Sequence, residues 1–290
     1  MLKKLFLLTA LSLTANTAFP CTQDGSEGIV PENDMWISTT AKGISTIDEA
    51  EFNAVIDKVV AIYEPIISQM GGKLNVERNW NDGTVNAYAS RRGGTWNVAM
   101  FGGLARHNTI TSDGFALVVC HELGHHIGGA PKKASFWSTW ASNEGQADYF
   151  STAKCLRRVF RAETNSAQVV AEMNVPKVVI DTCSEQFTSQ EDQLICQRGA
   201  MAGLSTAKLF QALRNQTTAP DFTTPDANVV SRTNDNHPAT QCRLDTYYSG
   251  ALCSVDELVD VDQADEAVGV CYASAGDTVG LRPKCWFSAK

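Results

Sequence analysis

Apolar residues recur every three or four positions in four stretches of the chain, the spacing that places them on one face of a helix. The first stretch follows a capping box at Ser45–Asp48 and stops at Gly71-Gly72. The second ends at Gly128-Gly129, and the fourth opens on another capping box at Ser189. The pattern predicts helices over residues 45–70, about 112–128, about 142–161 and 189–215.

Between the first two helices the pattern changes to short β-rich runs at about 73–79, 84–89 and 95–101. Turn-forming sequences separate these runs, Asn81-Asp82-Gly83 and Arg91–Gly94, so we expect a small antiparallel meander. Residues 242–290 are dense in cysteine, which favours a loop-rich tail held by disulfides. The predicted fold class is α+β, mainly helical, with a small antiparallel sheet and a disulfide-rich C-terminal region.

The first eighteen residues have the layout of a secretory signal peptide. Lys3 and Lys4 precede the apolar run Leu5–Leu13, and small residues follow up to Ala18, where we expect cleavage. A membrane span needs about twenty apolar residues, and no run in the sequence is that long. We therefore expect an exported protein, periplasmic or secreted, with an irregular segment at 19–44, a main domain at 45–240 and a cysteine-rich extension at 241–290 packed on it.

Charge and cysteine content narrow the picture further. The net charge of −8 argues against nucleic acid or an anionic membrane surface as a partner. The chain has nine cysteines and no CxxC pair, a set that an exported protein uses for disulfides. Cys21 would be left over, and acylation there is not expected, because Ala18-Phe19-Pro20 is a poor lipoprotein context. Short separations favour Cys183 with Cys196, Cys242 with Cys253 and Cys271 with Cys285, while Cys120 is either a buried thiol or a partner of Cys155.

One motif concentrates the candidate chemistry. Residues 121–125 read HExxH, and on a helix the spacing places His121 and His125 on one face about one turn apart, as two ligands of a tetrahedral zinc ion require. Glu122 would then lie beside the metal, where it can take a proton from a metal-bound water molecule and pass it to a leaving amine. Catalytic zinc also needs a third protein ligand.

The third ligand is not the histidine of an extended HExxHxxGxxH pattern, because that position holds Pro131. Glu144, on the next predicted helix, supplies a carboxylate instead. Asp148 follows one turn later and would accept a hydrogen bond from a ligand imidazole. The predicted cofactor is therefore one zinc ion per chain, held by His121, His125 and Glu144.

HExxH followed by NExxxD in a second helix resembles the gluzincin metalloproteases. The order of four motifs resembles more narrowly the family that includes the HtpX-type and CAAX prenyl proteases: Val85–Ala89, the glycine pairs at 93–94 and 102–103, HExxH, and an HPxxxxR element at 237–243. The resemblance covers about residues 45–160 and 234–245. It implies that an Asn-Ala-aromatic strand, here Asn86, Ala87 and Tyr88, borders the cleft. The absence of membrane spans and the cysteine-rich tail depart from the family, so its substrate preference does not transfer.

His237 is expected to reach the zinc site from its loop. It would either donate to the oxyanion of the tetrahedral intermediate, or bind the metal as a latency ligand, or only cap a turn. Arg243 would anchor the same loop by pairing with Asp148 or another carboxylate near the metal.

These observations predict an exported zinc metalloendopeptidase that acts on a peptide or protein substrate, with Glu122 as general base. The edge of the sheet would pair with an extended substrate. Two alternatives remain open at the level of sequence. One is a disulfide-stapled binding or chaperone-like module on the same fold, and the other is a zinc hydrolase of non-peptide amides.

Overall fold

The computed structural model describes residues 28–134 and 140–289. The predicted signal peptide and Cys21 lie outside the described residues. The helices are α1 Glu49–Gln69, α2 Gly102–Arg106, α3 Ser112–Ile127, α4 Glu144–Phe150, α5 Leu156–Glu163, α6 Ser166–Ala171, α7 Lys177–Gln186, α8 Gln190–Leu213 and α9 Thr240–Leu252, with a π-helical turn at Ser151–Cys155 and a 3-10 turn at Ala273–Ala275. The strands are β1 Lys73–Asn79, β2 Ala87–Arg92 and β3 Thr95–Phe101. The α+β class is confirmed.

The four helices predicted from periodicity are present, with one correction at a start. Asp48, not Ser45, caps α1, and its carboxylate accepts from the N–H of Glu51 at 2.9 Å. The Ser45 hydroxyl instead donates to the carbonyl of Ile110 at 2.7 Å. Ser189 caps α8 as predicted. The third predicted helix comprises α4, the π-helical turn and α5 in direct succession.

The antiparallel meander is wrong. Within the described residues the strand order is β1-β3-β2, and β1 pairs with β3 in parallel, while β2 pairs with β3 antiparallel. Residues 80–86 do not close a hairpin, because they pair with the N-terminal segment: Trp36 bridges Thr84, and Ile37 donates to the carbonyl of Gly83 at 2.8 Å. The chain therefore returns on the far side of β3, and β2 begins at Ala87, later than predicted.

Helix α3 is the centre of the core. All its residues from Asp113 to Ile127 are buried, and α1, α8, α4 and the sheet pack around it. A helix with no exposed side is held by its neighbours in every direction. The HExxH residues therefore lie on a helix that its neighbours enclose on every side.

The tail is less irregular than the sequence suggested, because its first part forms α9, which packs on α8 and α4. Two predicted disulfides there are wrong: Cys242 pairs with Cys285, and Cys253 with Cys271. Helix α9 explains the change, since it holds Cys242 and Cys253 at opposite ends and each takes a partner from the last twenty residues. The other two bridges, Cys120–Cys155 and Cys183–Cys196, agree with expectation.

The disulfides are compatible with an exported protein, because such crosslinks persist in oxidising compartments. In the part of the chain that the structure describes, no helix has the length and apolar character to cross a membrane.

Candidate metal centre

Two helices bring three potential metal ligands together. His121 and His125 lie one turn apart on α3, with ring centroids 4.7 Å apart. Glu144 is the first residue of α4, directly after the cap Asn143. Its Oε2 lies 3.4 Å from His121 Nε2, and its Oε1 lies 3.7 Å from His125 Nε2. One ligand atom from each residue lies within 4.8 Å of the others, so the cluster can hold a metal ion.

The donor set fits a metal better than it fits a purely structural role. His121 Nε2, His125 Nε2 and Glu144 Oε2 are buried, and none has a hydrogen-bond partner among the described residues. Buried polar atoms left without partners are costly and rare. Two imidazoles and one carboxylate are a donor set that zinc accepts. The unpartnered atoms therefore point to a cation between them.

The opposite ring nitrogens are held by fixed partners. His125 Nδ1 lies 2.9 Å from the Ser142 carbonyl, and His121 Nδ1 lies 2.8 Å from Asp148 Oδ1. Arg243 binds Asp148 through two bonds of 2.7 Å, and the Tyr247 hydroxyl donates to the same carboxylate at 2.6 Å. These contacts orient both imidazoles with Nε2 toward the cluster.

Burial and neighbouring charges shift the pKa values of the site residues in different directions. Burial raises the pKa of Glu122 to about 8. Burial would also raise the pKa of Glu144, but His237, His125 and His121 offset it and hold that pKa well below its usual range. Burial lowers the pKa of His125 to about 4, which keeps its ring neutral and able to bind a metal.

Glu122 lies next to the cluster without belonging to it. Its side chain is fully buried, and neither carboxylate oxygen has a hydrogen-bond partner among the described residues. A buried carboxylate without a structural partner is typical of a functional group rather than of a packing residue.

His237 also reaches the centre, from the loop before α9. Its Nε2 lies 3.3 Å from Glu144 Oε2 and 2.7 Å from the carbonyl oxygen of Gly28. The loop is anchored two residues earlier, where Asp235 accepts from the side-chain amide of Asn143 at 3.1 Å. The same residue that caps α4 therefore ties the His237 loop to the start of that helix.

The predicted substrate strand lies beside the cluster, but its edge is not free. Asn86 precedes β2, and Ala87 and Tyr88 begin it. One edge of β2 pairs with β3, and the other edge faces away from the sheet. Residues 28–30 run along this edge: Gly28 bridges Tyr88, and Ile29 donates to the carbonyl of Ala87 at 2.9 Å. The structure thus places Asn86, Ala87 and Tyr88 against residues 28–30, a segment that the sequence did not associate with the site and whose Gly28 carbonyl accepts from His237.

Three contributors escaped the sequence analysis: the Ser142 carbonyl, Tyr247 and residues 28–30. Tyr247 follows Arg243 by four residues on α9, so a helix prediction for 240–252 would have placed the two side chains on one face. The Ser142 carbonyl and the N-terminal segment have no local signal, because backbone groups take part. A second group at metal-ligand distances, Asp226 with Cys242 and Cys285, has both its sulfurs in a disulfide.

Comparison of the chain with known proteins finds no matching family model, no matching curated protein and no matching solved structure.

Proposed function

We propose that the protein is a zinc metalloendopeptidase of the gluzincin type, related to the HtpX and CAAX prenyl protease family. The observation that carries the proposal is the convergence of His121, His125 and Glu144, with the unpartnered carboxylate of Glu122 beside them. The order of the sequence motifs supports the family, and the zincin-like fold is part of the same proposal. A binding module that catalyses no reaction would have no use for a buried Glu122 carboxylate without a hydrogen-bond partner.

His121, His125 and Glu144 would hold the zinc ion, which, when bound, polarises a carbonyl and makes a water molecule more acidic. Glu122 accepts the proton of the attacking water and delivers it to the amine that leaves. His237 Nε2 donates a hydrogen bond to the carbonyl oxygen under attack, the role it plays toward Gly28 in this structure. Arg243 and Asp148 keep His121 in its orientation.

The first prediction tests the metal ligands. The purified protein should contain about one zinc ion per chain, and Glu144→Ala should lose most of it, because two imidazoles alone leave the site without its third ligand. Metal analysis after dialysis measures both. Glu172→Gln is the control, since Glu172 is exposed. Undiminished zinc in Glu144→Ala would remove Glu144 from the ligand set.

The second prediction tests the chemistry. Glu122→Gln should keep the zinc and the fold and lose about 10²- to 10³-fold in the rate of peptide hydrolysis, because a general base contributes about that much. A fluorogenic peptide mixture, assayed with and without a chelator, measures it. Turnover that persists in Glu122→Gln would refute the mechanism. Cleavage of amide substrates other than peptides, with no peptide cleaved, would shift the protein to another class of zinc hydrolase.

We also propose that the chain is exported by the signal peptide predicted at 1–18. Mass spectrometry of Glu122→Gln purified from the periplasm or medium of an expression host should find a chain that begins near residue 19. A chain that retains residues 1–18 inside the cell would contradict export.

A further inference from the structure

The segment Gly28–Val30 is bound along the edge of β2 as an added strand. Ile29 donates to the Ala87 carbonyl at 2.9 Å, and Gly28 forms an antiparallel bridge with Tyr88. The side chain of Asn86 contacts Val30 twice, accepting from its N–H at 3.4 Å and donating to its carbonyl at 3.2 Å. Strand addition of this kind is how extended peptides bind to a sheet edge.

The carbonyls of the segment face the functional side chains. The Gly28 oxygen accepts from His237 Nε2 at 2.7 Å, and that nitrogen lies 3.3 Å from the ligand atom Glu144 Oε2. The Ile29 oxygen accepts from Arg243 Nη1 at 2.5 Å. The peptide bond between Gly28 and Ile29 therefore lies beside the carbonyl donor His237, which in turn lies beside the candidate metal ligand Glu144.

Gly28 and Ile29 are both closely packed against neighbouring residues. A β-carbon on Gly28 would overlap the Asn86 side chain and the Ala87 carbonyl, so only glycine fits at this position. Ile29 is fully buried and belongs to the main apolar core. The site thus accepts glycine on the carbonyl side of the bond and a large aliphatic side chain on the amine side.

We propose that the Gly28–Ile29 peptide bond is a substrate of the chain's own site and is hydrolysed within the molecule. The inference rests on the proposed function. Water adds to the Gly28 carbonyl carbon and gives its proton to Glu122. The carbon–nitrogen bond then breaks, Glu122 returns the proton to the Ile29 nitrogen, and Gly28 leaves as a carboxylate. No oxidant or co-reactant is needed, and the product chain begins at Ile29.

The cleavage explains the cysteine count. The released piece carries Cys21, and the eight cysteines that remain are those that pair in the four disulfides of the described residues. Ile29 and Val30, on the retained side of the bond, are buried in the core.

Intact-mass and N-terminal analysis of the exported protein test the proposal. Wild type should begin at Ile29, and Glu122→Gln should keep the residues before Gly28. When wild type is mixed with tagged Glu122→Gln, the tagged chain should stay intact, because the cut is intramolecular. Removal of the same residues from Glu122→Gln produced alone would assign the cut to another protease and overturn the proposal.

Gly28→Val separates this proposal from the proposed function. The valine should expel the segment, abolish the self-cut and raise hydrolysis of added peptides, while Thr40→Val, at an exposed position ten residues after the segment, should behave as wild type. If added peptides are hydrolysed but the bond in wild type stays intact, self-cleavage is wrong and the metalloendopeptidase stands. If no variant with bound zinc hydrolyses peptides or its own chain, both fail.

An experiment that needs no catalytic turnover tests whether residues 28–30 bind along β2. In metal-free Glu122→Gln the Ile29 amide should exchange slowly with solvent, because it donates to Ala87. Adding Gly28→Val should speed exchange about five- to tenfold, the equivalent of one lost hydrogen bond. Mass spectrometry or NMR measures the exchange. Equal exchange rates in the two proteins would show that the segment does not lie along β2, and would overturn the proposal.

Discussion

Arg243 is the residue on which the centre depends most without touching the candidate ligands. It is fully buried, pairs with Asp148 through two bonds, and its guanidinium also stacks 4.0 Å from the ring centroid of Phe210. Burial would raise the pKa of Asp148, but Arg243 and His121 offset it and hold that pKa below its usual range. The Asp148 carboxylate, which orients His121, therefore stays ionised, because the positive charge of Arg243 lies against it. Arg243 comes from α9, far from Asp148 in the sequence.

Removing the positive charge of Arg243 should lower both the stability of the fold and the affinity for zinc. Arg243→Met should lower the free energy of unfolding by about 3–5 kcal/mol, because it leaves Asp148 buried without its partner. Zinc affinity should fall about 10- to 100-fold. Urea unfolding and metal titration measure the two effects. The double variant Arg243→Met, Asp148→Asn is the control, and it should recover part of the stability but not the zinc affinity. No recovery would show that the loss comes from packing alone.

His126 makes the stability of the fold depend on pH. Its Nδ1 accepts from Arg91 at 3.2 Å and its Nε2 lies 3.0 Å from the Asn97 carbonyl, so the ring is neutral. Burial lowers its pKa from 6.5 to about 3. Below pH 6.5 the unfolded chain binds a proton that the folded chain rejects, so stability falls as pH falls from about 6.5 toward 3, by up to about 1.4 kcal/mol per unit.

His126→Gln should flatten this dependence, because glutamine does not titrate. Urea unfolding of the metal-free proteins between pH 6.5 and about pH 4.5 compares the slopes, with metal removed so that ligand protonation is the same background in both. Identical slopes for wild type and His126→Gln would mean that the ring is protonated inside the fold.

At the scale of elements, the four predicted helical stretches were predictable because their apolar positions repeat locally, whereas α2, α6 and α7 were not predicted. The parallel pairing of β1 with β3 was not, since Asn81-Asp82-Gly83 has hairpin chemistry and only its contacts with the N-terminal segment divert it. Helix α9 was missed because two cysteines and a preceding proline made its region look like loop. In the site, HExxH, Glu144 and Asp148 carry local signals, whereas the Ser142 carbonyl beside His125 and the Tyr247 hydroxyl that donates to Asp148 do not.

The Cys120–Cys155 disulfide links α3 to the end of the π-helical turn, and closes a loop of sequence separation 35 next to His121. Replacing both cysteines by alanine should cost about 3–4 kcal/mol of stability, the loss expected for a loop of this length. Zinc affinity should fall as well, since the crosslink joins the two helical segments that carry the ligands. Thermal unfolding and metal titration measure this.

The Cys183–Cys196 pair, with sequence separation 13, is the matched control. Its removal should also destabilise the fold, by about 3 kcal/mol, but leave zinc affinity unchanged, because it joins α7 to α8 away from the cluster. Equal effects on affinity would mean that the Cys120 bridge acts only through global stability.

At the scale of the molecule, the tail folds back onto the start of α4. Trp286 is fully buried, donates from Nε1 to Thr246 at 2.9 Å, and lies against Gly145, where a β-carbon would overlap its ring. Gly145 is the neighbour of Glu144. The last residues of the chain therefore press on the backbone that presents a candidate ligand.

Gly145→Ala should displace Trp286, lower stability by about 1–3 kcal/mol as overpacking does, and weaken zinc binding. Tryptophan fluorescence and metal titration report on the two sites separately. Gly94→Ala, where a β-carbon meets open space, is the control. An unchanged fluorescence spectrum in Gly145→Ala would show that the tail does not rest on α4.

The late position of Arg243 also sets when the centre can form. A nascent chain leaves the ribosome from its N-terminus, so Gly28, both histidines and Glu144 emerge before the guanidinium that neutralises Asp148 exists. Until residue 243 has emerged and α9 has folded, His121 faces a buried carboxylate without its counter-ion. The centre is therefore complete only once most of the chain has emerged, and the proposed cut at Gly28 would follow the synthesis of residue 243 rather than precede it.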